Sequence, residues 1–109
     1  MRIAILIAAL GLMVCDTGVD AAATTKPKTH TVTIEAMRYQ PERLTVASGD
    51  TIVWVNKDVV PHTATSKAGG FDSETILADQ SWRVTLRTKG DFAYICTFHP
   101  TMKARLRVR

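Results

Sequence analysis

Polar and apolar residues alternate along most of this 109-residue chain, as they do in strands with one buried face. The clearest stretch is residues 82–87, where Trp, Val and Leu alternate with Arg and Thr. Similar stretches recur about every 8–12 residues and are separated by turn signals such as Gly49-Asp50. About seven strands in a chain of single-domain length predict an all-β fold, an antiparallel β-sandwich. They are predicted at residues 31–36, 44–46, 51–56, 61–65, 82–87, 92–96 and 103–109.

The same alternation assigns residues to the core. Trp54 and Trp82 are predicted to be buried or half-buried, and Met37 follows the apolar positions of the first stretch and is expected in the core. Tyr94 lies two residues before Cys96 and should share its face of the sheet.

Residues 1–23 have the order of a secretory signal peptide. Arg2 supplies a positive charge, residues 3–14 are an unbroken apolar run, and Ala21-Ala22-Ala23 is a small-residue cleavage site. Cleavage after Ala23 leaves one domain of residues 24–109, and cleavage after Ala21 is the alternative. In a second interpretation residues 12–15 form a lipobox and Cys15 carries a lipid anchor. Either way we expect export to a bacterial periplasm, and the run is shorter than the roughly 20 residues that span a membrane.

The two cysteines then have different fates. Cys15 leaves with the leader or carries the lipid, so Cys96 is the single thiol of the mature domain. In an oxidising compartment it has no partner for a disulfide. It is therefore either a buried inert thiol or a metal ligand.

The residues around Cys96 favour a metal site. Cys96, His99 and Met102 follow one another at intervals of three directly after a predicted strand, and His62 precedes another strand. Two imidazoles, a thiolate and a weak axial thioether are the ligands of a blue-copper electron-transfer centre. We predict one copper ion bound by His62, Cys96, His99 and Met102.

Other chemistries fit these residues less well. A C-x-x-C-H haem motif is absent, and zinc usually takes more cysteines or three harder ligands with an open position. The short loop after Cys96 leaves little room for the cleft of a cysteine protease. Asp58, Asp72 and Glu74 form no carboxylate pair that would support acid–base catalysis. We therefore predict that the protein is not an enzyme.

At these positions the sequence resembles the cupredoxin family, in its plastocyanin and azurin branch and most closely its amicyanin-like members. The resemblance covers residues 29–109 and rests on segments 37–41, 49–56, 61–62, 90–94 and 96–102. It implies a Greek-key sandwich, one type 1 copper ion and a one-electron shuttle. It also implies that His62, Cys96 and His99 are the strong ligands and Met102 the axial one. The two residues between His99 and Met102 are typical of amicyanins.

Two positions depart from the family pattern. Thr63 stands where these proteins usually have Asn, so we expect the brace between ligand loops to be weaker or to run to Thr97, while the Thr63 N–H can still donate to the Cys96 sulfur. Phe98 stands where amicyanins have Pro and keeps an N–H that Pro lacks. Our hypothesis is that this N–H is a second donor to the thiolate and raises the reduction potential.

The surface residues indicate how partners would bind. Phe98 and Pro100 flank His99 and could form an apolar collar for transient contact with a dehydrogenase, a cytochrome c or a reductase. Lys103, Arg105, Arg107 and Arg109 alternate on the last strand, as a solvated face or as a surface that steers an acidic partner. The export signal and the few aromatic residues argue against nucleic acid binding, and we expect a monomer.

These features together predict a periplasmic type 1 copper protein that shuttles single electrons by Cu(I)/Cu(II) cycling. The alternative is an exported copper-binding or copper-delivery protein that uses the same ligands without shuttling electrons.

Overall fold

The computed structural model describes residues 11 and 26–109, so the cleavage sites, Cys15 and, apart from Gly11, the predicted leader lie outside the described residues. Nine strands follow one another there, and every predicted strand region overlaps one of them, although the region 61–65 shares only Thr65 with an observed strand. They are β1 (Thr29–Glu35), β2 (Arg38–Gln40), β3 (Arg43–Val46), β4 (Thr51–Asn56), β5 (Thr65–Ser66), β6 (Phe71–Asp72), β7 (Ser81–Thr85), β8 (Gly90–Ile95) and β9 (Lys103–Val108). The described part of the chain contains no helix that is long and apolar enough to cross a membrane.

The strands form two sheets that pack as a sandwich, which confirms the predicted all-β fold. One sheet has the order β2-β1-β4-β7 and the other the order β3-β9-β8-β5-β6. Both sheets are mixed, because β1 pairs with β4 and β3 pairs with β9 in parallel. Alternation determines which face of a strand is buried but carries no information about the direction of its neighbour. The antiparallel pattern expected from the sequence therefore holds for the other pairs only.

The first hairpin corrects one prediction. Glu35 pairs with Arg38, so Ala36 and Met37 are the two central residues of the turn, with φ of 52° and 58°. The alternation of β1 ends at Glu35, and Met37 is 41% exposed instead of lying in the core. Positive φ at both central positions is the pattern of a type I′ hairpin turn, and the sequence lacks the Asn-Gly signal that usually announces it.

The core lies between the two sheets and extends to one end of the sandwich. Trp54 of β4 is fully buried and meets Tyr94 of β8 edge-on, with ring centroids 5.6 Å apart. Tyr39 contacts the same tyrosine at 4.7 Å. Cys96 and Met102, which are 0% and 5% exposed, belong to this cluster. The core therefore continues directly into the loop that follows β8.

A carboxylate ties together the opposite end. Asp50, directly before β4, accepts hydrogen bonds from Lys28 N (2.9 Å), His30 Nε2 (2.8 Å) and Ala47 N (3.0 Å). The Lys28 amide, then the His30 ring and the Ala47 amide, lower the pKa of Asp50 to about 2. Asp50 thus fixes the start of β1 to the turn before β4.

Candidate metal centre

The loop between β8 and β9 is two successive turns. His99 N donates to Cys96 O (3.2 Å), and Met102 N donates to His99 O (2.8 Å). Each bond joins residue i+3 to residue i, the pattern of a β-turn. Cys96 N donates to Met102 O (3.2 Å) and closes the loop where β9 begins. The spacing of three residues therefore sets Cys96, His99 and Met102 at the corners of two consecutive turns.

His62 reaches this loop from the connection between β4 and β5. It exchanges two backbone hydrogen bonds with Ile76, at 3.1 and 2.8 Å, which form an isolated antiparallel bridge. Its side chain is fully buried. His62 Nδ1 lies 3.7 Å from Cys96 Sγ, and its ring centroid lies 5.4 Å from that of His99. Residues 34 positions apart in the sequence are thus brought into contact.

The side chain of Cys96 contacts that of His62, and the ring of His99 packs against the ring of His62. The fourth predicted ligand, Met102, is held in the same loop by its backbone hydrogen bonds. Met102 is buried, whereas His99 is half-buried. Among residues 26–109, His, Cys, Asp and Glu side chains alone form no ready-made cluster of three or more donors for a metal.

Asp58 determines how the His62 ring is oriented. Asp58 Oδ2 accepts a hydrogen bond from His62 Nε2 at 2.7 Å. Burial raises the pKa of Asp58, but hydrogen bonds from Met37 N, His62 and Ala36 N outweigh it, so the net pKa is lowered. Because an ionised carboxylate can only accept, Nε2 carries a proton, and in the neutral imidazole the Nδ1 lone pair then faces Cys96. A carboxylate on the outer nitrogen is the usual support of a metal-binding histidine.

Asn56 holds the loop that presents both residues. Its Nδ2 donates to Val60 O and to Ile76 O, each at 2.9 Å, and its Oδ1 accepts from Asp58 N at 2.9 Å. The sequence reasoning missed Asn56 and assigned no role to Asp58. The available signals were an Asn at the end of an alternating run and an Asp four residues before a candidate ligand.

Thr63 connects the two ligand-bearing segments. Its backbone N–H donates to Cys96 Sγ at 3.3 Å, as expected from the sequence. Thr63 Oγ1 accepts from Thr97 N at 2.9 Å and lies 3.3 Å from Thr97 Oγ1. The brace therefore runs to Thr97, one of the two outcomes that the sequence left open. Tyr39 Oη donates to Thr63 O, and burial raises the pKa of this tyrosine.

The expected donor from Phe98 is absent. Among the described residues the only backbone N–H that donates to Cys96 Sγ is that of Thr63. The turn directs the neighbouring amide of His99 to Cys96 O instead. The hypothesis that a Phe98 N–H bond raises the reduction potential is therefore not supported.

The donor atoms fit a soft metal ion that changes valence. A thiolate favours Cu(I), imidazoles suit both oxidation states of copper, and a thioether is the usual weak axial ligand. The buried Cys96 thiol faces Nδ1 of His62, and within residues 26–109 its hydrogen-bond partners are that nitrogen and the Thr63 N–H. Hard oxygen-seeking ions such as Mg²⁺ and Ca²⁺ would find no suitable ligands at this point.

The sequence matches a known family. The family model of the cupredoxin-like domain matches residues 3–108. The amicyanin of Paracoccus versutus is 34% identical over 91 residues, which cover 79% of this chain and 69% of that protein. The amicyanin of Paracoccus denitrificans is 30% identical over 91 residues, with 79% and 70% covered.

Solved structures share the fold. An amicyanin variant in its oxidised state superposes with a TM-score of 0.69 at 28% identity, covering 74% of this chain and 82% of that one. A copper-containing nitrite reductase from Thermus scotoductus gives a TM-score of 0.71 at 28% identity and covers 77% of this chain. The match spans only 23% of that enzyme.

Proposed function

This chain belongs to the cupredoxin-like family and has amicyanins among its relatives, and from that premise we propose that it is a type 1 copper protein that carries single electrons between redox partners in the periplasm. The observation that carries the proposal is the contact between the buried Cys96 thiol and the free ring nitrogen of His62, 3.7 Å apart.

We assign His62, Cys96 and His99 as the strong copper ligands and Met102 as the weak axial ligand. Bound copper supplies one-electron chemistry through its two valence states. The residues around it hold the ligands in place by contacts that do not involve the metal. Asp58 holds His62, and the Thr63 N–H holds the Cys96 sulfur. Such support restricts how far the ligands move when the charge of the site changes.

The proposed ligand set supports an electron carrier and argues against an enzyme. A fourth ligand from Met102 would leave no open position for substrate, in contrast to catalytic metal sites. The resemblance to nitrite reductase is confined to a part of that enzyme about the size of this domain. We therefore assign no enzymatic activity to this chain.

An apolar rim around His99 supports transient docking of a redox partner. Five large apolar side chains of the described residues are notably exposed, and all lie in loops at the metal end of the sandwich: Met37, Val59, Val60, Leu77 and Phe98. Val59 is 92% exposed and Phe98 51%. An exposed apolar patch on a small domain marks an interaction site. We propose that an electron enters or leaves through the half-buried ring of His99, the chain neighbour of Phe98.

The proposed periplasmic location is supported by the sequence of the leader. A positive charge, an apolar run and a small-residue site precede the domain in the order of a secretory signal. An unpaired thiol exported to an oxidising compartment is protected when a metal occupies it, so the location and the proposed site agree.

The test is copper loading of the mature protein. We expect an intense blue absorption from thiolate-to-copper charge transfer that bleaches reversibly with a reductant. Cys96→Ser should abolish the band, and His99→Gln should abolish or strongly shift it. His30→Gln, which changes a histidine at the opposite end of the sandwich, is the matched control and should keep it. A Cys96→Ser variant that stays blue would refute the site.

Metal exchange separates the carrier from the copper-delivery alternative. A carrier keeps its copper through repeated reduction and oxidation, whereas a delivery protein transfers it to an acceptor. The full burial of His62 and its bond to Asp58 favour retention. Rapid loss of Cu(I) to a chelator of similar affinity, together with slow electron exchange, would favour delivery.

A further inference from the structure

Four side chains form a continuous series of hydrogen bonds from the ligand loop to the surface of the five-stranded sheet. Thr97 Oγ1 lies 3.3 Å from Thr63 Oγ1, which lies 3.0 Å from Thr65 Oγ1. Thr65 Oγ1 in turn donates to Asp72 Oδ1 at 3.0 Å. We call these three threonines and Asp72 the hydroxyl chain. It begins at the residue after Cys96 and ends at an exposed carboxylate of β6.

The pairing of the strands aligns these side chains. Strand β5 lies between β8 and β6, so Thr65 pairs with Ile95 on one side and with Asp72 on the other. Continuing the antiparallel register by two residues sets Thr63 beside Thr97. Side chains two residues apart in an extended chain point to the same side, and cross-strand neighbours on one face stand about 5 Å apart. The sheet therefore brings all four members of the hydroxyl chain to one face.

The carboxylate determines the direction of every bond in the hydroxyl chain. An ionised carboxylate can only accept, so Thr65 donates its single hydroxyl hydrogen to Asp72. The Thr65 oxygen then accepts from the Thr63 hydroxyl, and the Thr63 oxygen accepts from the Thr97 hydroxyl. Thr63 uses its second lone pair for the backbone N–H of Thr97, at 2.9 Å. The hydrogen and both lone pairs of Thr63 are thus engaged, and all three hydroxyl hydrogens point toward Asp72.

Within the described residues the charge of Asp72 acts on this chain without a cation beside it. The salt bridges of residues 26–109 are formed by Asp50 and Asp58. Asp72 Oδ1 instead accepts from the Thr65 hydroxyl and from Glu74 N, the latter at 2.8 Å. A hydroxyl that donates to a negative group becomes a better acceptor itself, so the bonds of such a series strengthen one another.

The other end of the hydroxyl chain acts on the peptide group between Cys96 and Thr97. The N–H of this group donates to Thr63 Oγ1, and its C=O, that of Cys96, accepts from His99 N at 3.2 Å. Because a peptide group is planar, hydrogen bonds at its two ends fix its orientation. The α-carbon of Cys96 lies in the same plane, so these two bonds also restrict where its side chain can place the sulfur.

We propose that Asp72 is a positioning residue for Cys96 and acts on it through the hydroxyl chain. The carboxylate keeps the hydroxyls of Thr65 and Thr63 in one direction, which leaves the Thr63 oxygen free to accept from the backbone N–H of Thr97. The role of Cys96 as a copper ligand is that of the proposed function, on which this inference rests. The hydroxyl chain itself is formed by the protein alone and is present without the metal.

The test is the exchange rate of the Thr97 amide hydrogen with solvent, measured by NMR on the metal-free mature protein. Thr65→Val keeps the side-chain shape but interrupts the hydroxyl chain, and we expect this amide to exchange about fivefold faster. Asp72→Ala should accelerate it similarly, whereas Asp72→Asn keeps an acceptor oxygen and should stay within about twofold of wild type. The double variant Thr65→Val/Asp72→Ala should be no faster than Thr65→Val alone, because both changes interrupt the same chain.

The matched controls change the same residue types elsewhere. Thr33→Val alters a half-buried threonine of β1, and Asp91→Ala removes an exposed carboxylate of β8. Both should leave Thr97 exchange within about twofold of wild type. The Gly49 amide, which donates to a backbone carbonyl at the opposite end of the sandwich, should keep its rate in every variant. Unchanged exchange in Thr65→Val, effects of the two single changes that multiply in the double variant, or equal acceleration of the Gly49 amide would each overturn the proposal.

The blue band of the copper-loaded protein tests the link to Cys96. A sulfur that is held less firmly takes a wider range of positions, so the band of Thr65→Val should be broader than that of wild type and of Thr33→Val. An unchanged band width would overturn this link. The two proposals fail separately: a protein that never turns blue, but whose Thr97 amide responds as expected, would refute the copper site and leave the hydroxyl chain. A blue protein whose Thr97 amide does not respond would refute the hydroxyl chain alone.

Discussion

Asp58 Oδ2 and His62 Nε2 are joined by a 2.7 Å hydrogen bond, and the same carboxylate group accepts hydrogen bonds from Ala36 N and Met37 N at 2.8 and 3.0 Å. Both turn residues have positive φ, which non-glycine residues rarely adopt. One carboxylate thus holds an unfavourable turn in one sheet and fixes the orientation of the proposed copper ligand.

Removing this carboxylate should weaken metal binding. In Asp58→Ala the His62 ring loses the acceptor that fixes its tautomer, and we expect Cu(I) affinity to fall about 10–100-fold. Competition with a chelator of known affinity measures the change. Asp91→Asn, which alters an exposed carboxylate away from the site, is the control. Unchanged copper affinity in Asp58→Ala would show that backbone contacts alone orient the ring.

Removing the Thr63 hydroxyl should destabilise the link between the ligand loops. Thr63→Val keeps the side-chain shape but leaves Thr97 N without its acceptor, so the free energy of unfolding should fall by about 1–3 kcal/mol. Urea unfolding of the copper-loaded protein measures this. Thr33→Val on the outer face of β1 should change it by less than about 0.5 kcal/mol. A similar loss in both variants would count against the brace.

Acid should loosen the end of the sandwich that contains Asp50. The pKa of this carboxyl is lowered from 3.8 to about 2, so its contribution to stability is complete above pH 3.8 and is lost as the pH falls toward about 2. The stability difference between wild type and Asp50→Asn should therefore be constant above about pH 4 and shrink below it. Urea midpoints of both proteins across this range measure it. A difference that does not change with pH would contradict the assignment.

A charge placed in the apolar rim should slow electron exchange between two copies of the protein. Val59 is almost fully exposed beside the proposed docking point, so Val59→Lys adds repulsion and a desolvation cost to the encounter of two rims. We expect the self-exchange rate, measured by NMR line broadening, to fall about tenfold. Thr85→Lys adds the same charge on β7 and should have a much smaller effect. Equal slowing in both would show that the rim is not the contact surface.

The sandwich could be predicted from the sequence because a strand with one buried face has an apolar residue at every second position. The strictly alternating burial of β9 follows the sequence residue by residue. In β4 burial alternates as well, but the apolar Val53 and Val55 are half-buried and the polar Asn56 is fully buried. Alternation could not reveal β2 and β6, which have three and two residues, because so few positions cannot establish a period. Nor could it place Met37, whose position depends on where the pairing of β1 with β2 ends.

The candidate ligands in the loop after β8 were also predictable, because their spacing of three residues is visible in the sequence. Two successive turns produce this spacing in the structure. Their role as copper ligands stays a prediction. The support of His62 by Asp58 and Asn56 was not predictable, although all three lie within seven residues of one another. Their contacts depend on how the loop folds back over Ile76 and over the first hairpin.

The sequence by itself determined three things: the alternation of polar and apolar residues in the strands, the order of the ligand residues along the chain, and the placement of the cations of β9 on one face of that strand. These are local properties, and a residue's type and spacing carry them. Only the tertiary structure decided that β1 and β3 pair in parallel, that His62 presents Nδ1 to Cys96, and that Arg43 lies beside Arg105. Contacts between distant segments depend on which sheet each strand joins, and local alternation is the same whichever neighbour a strand acquires.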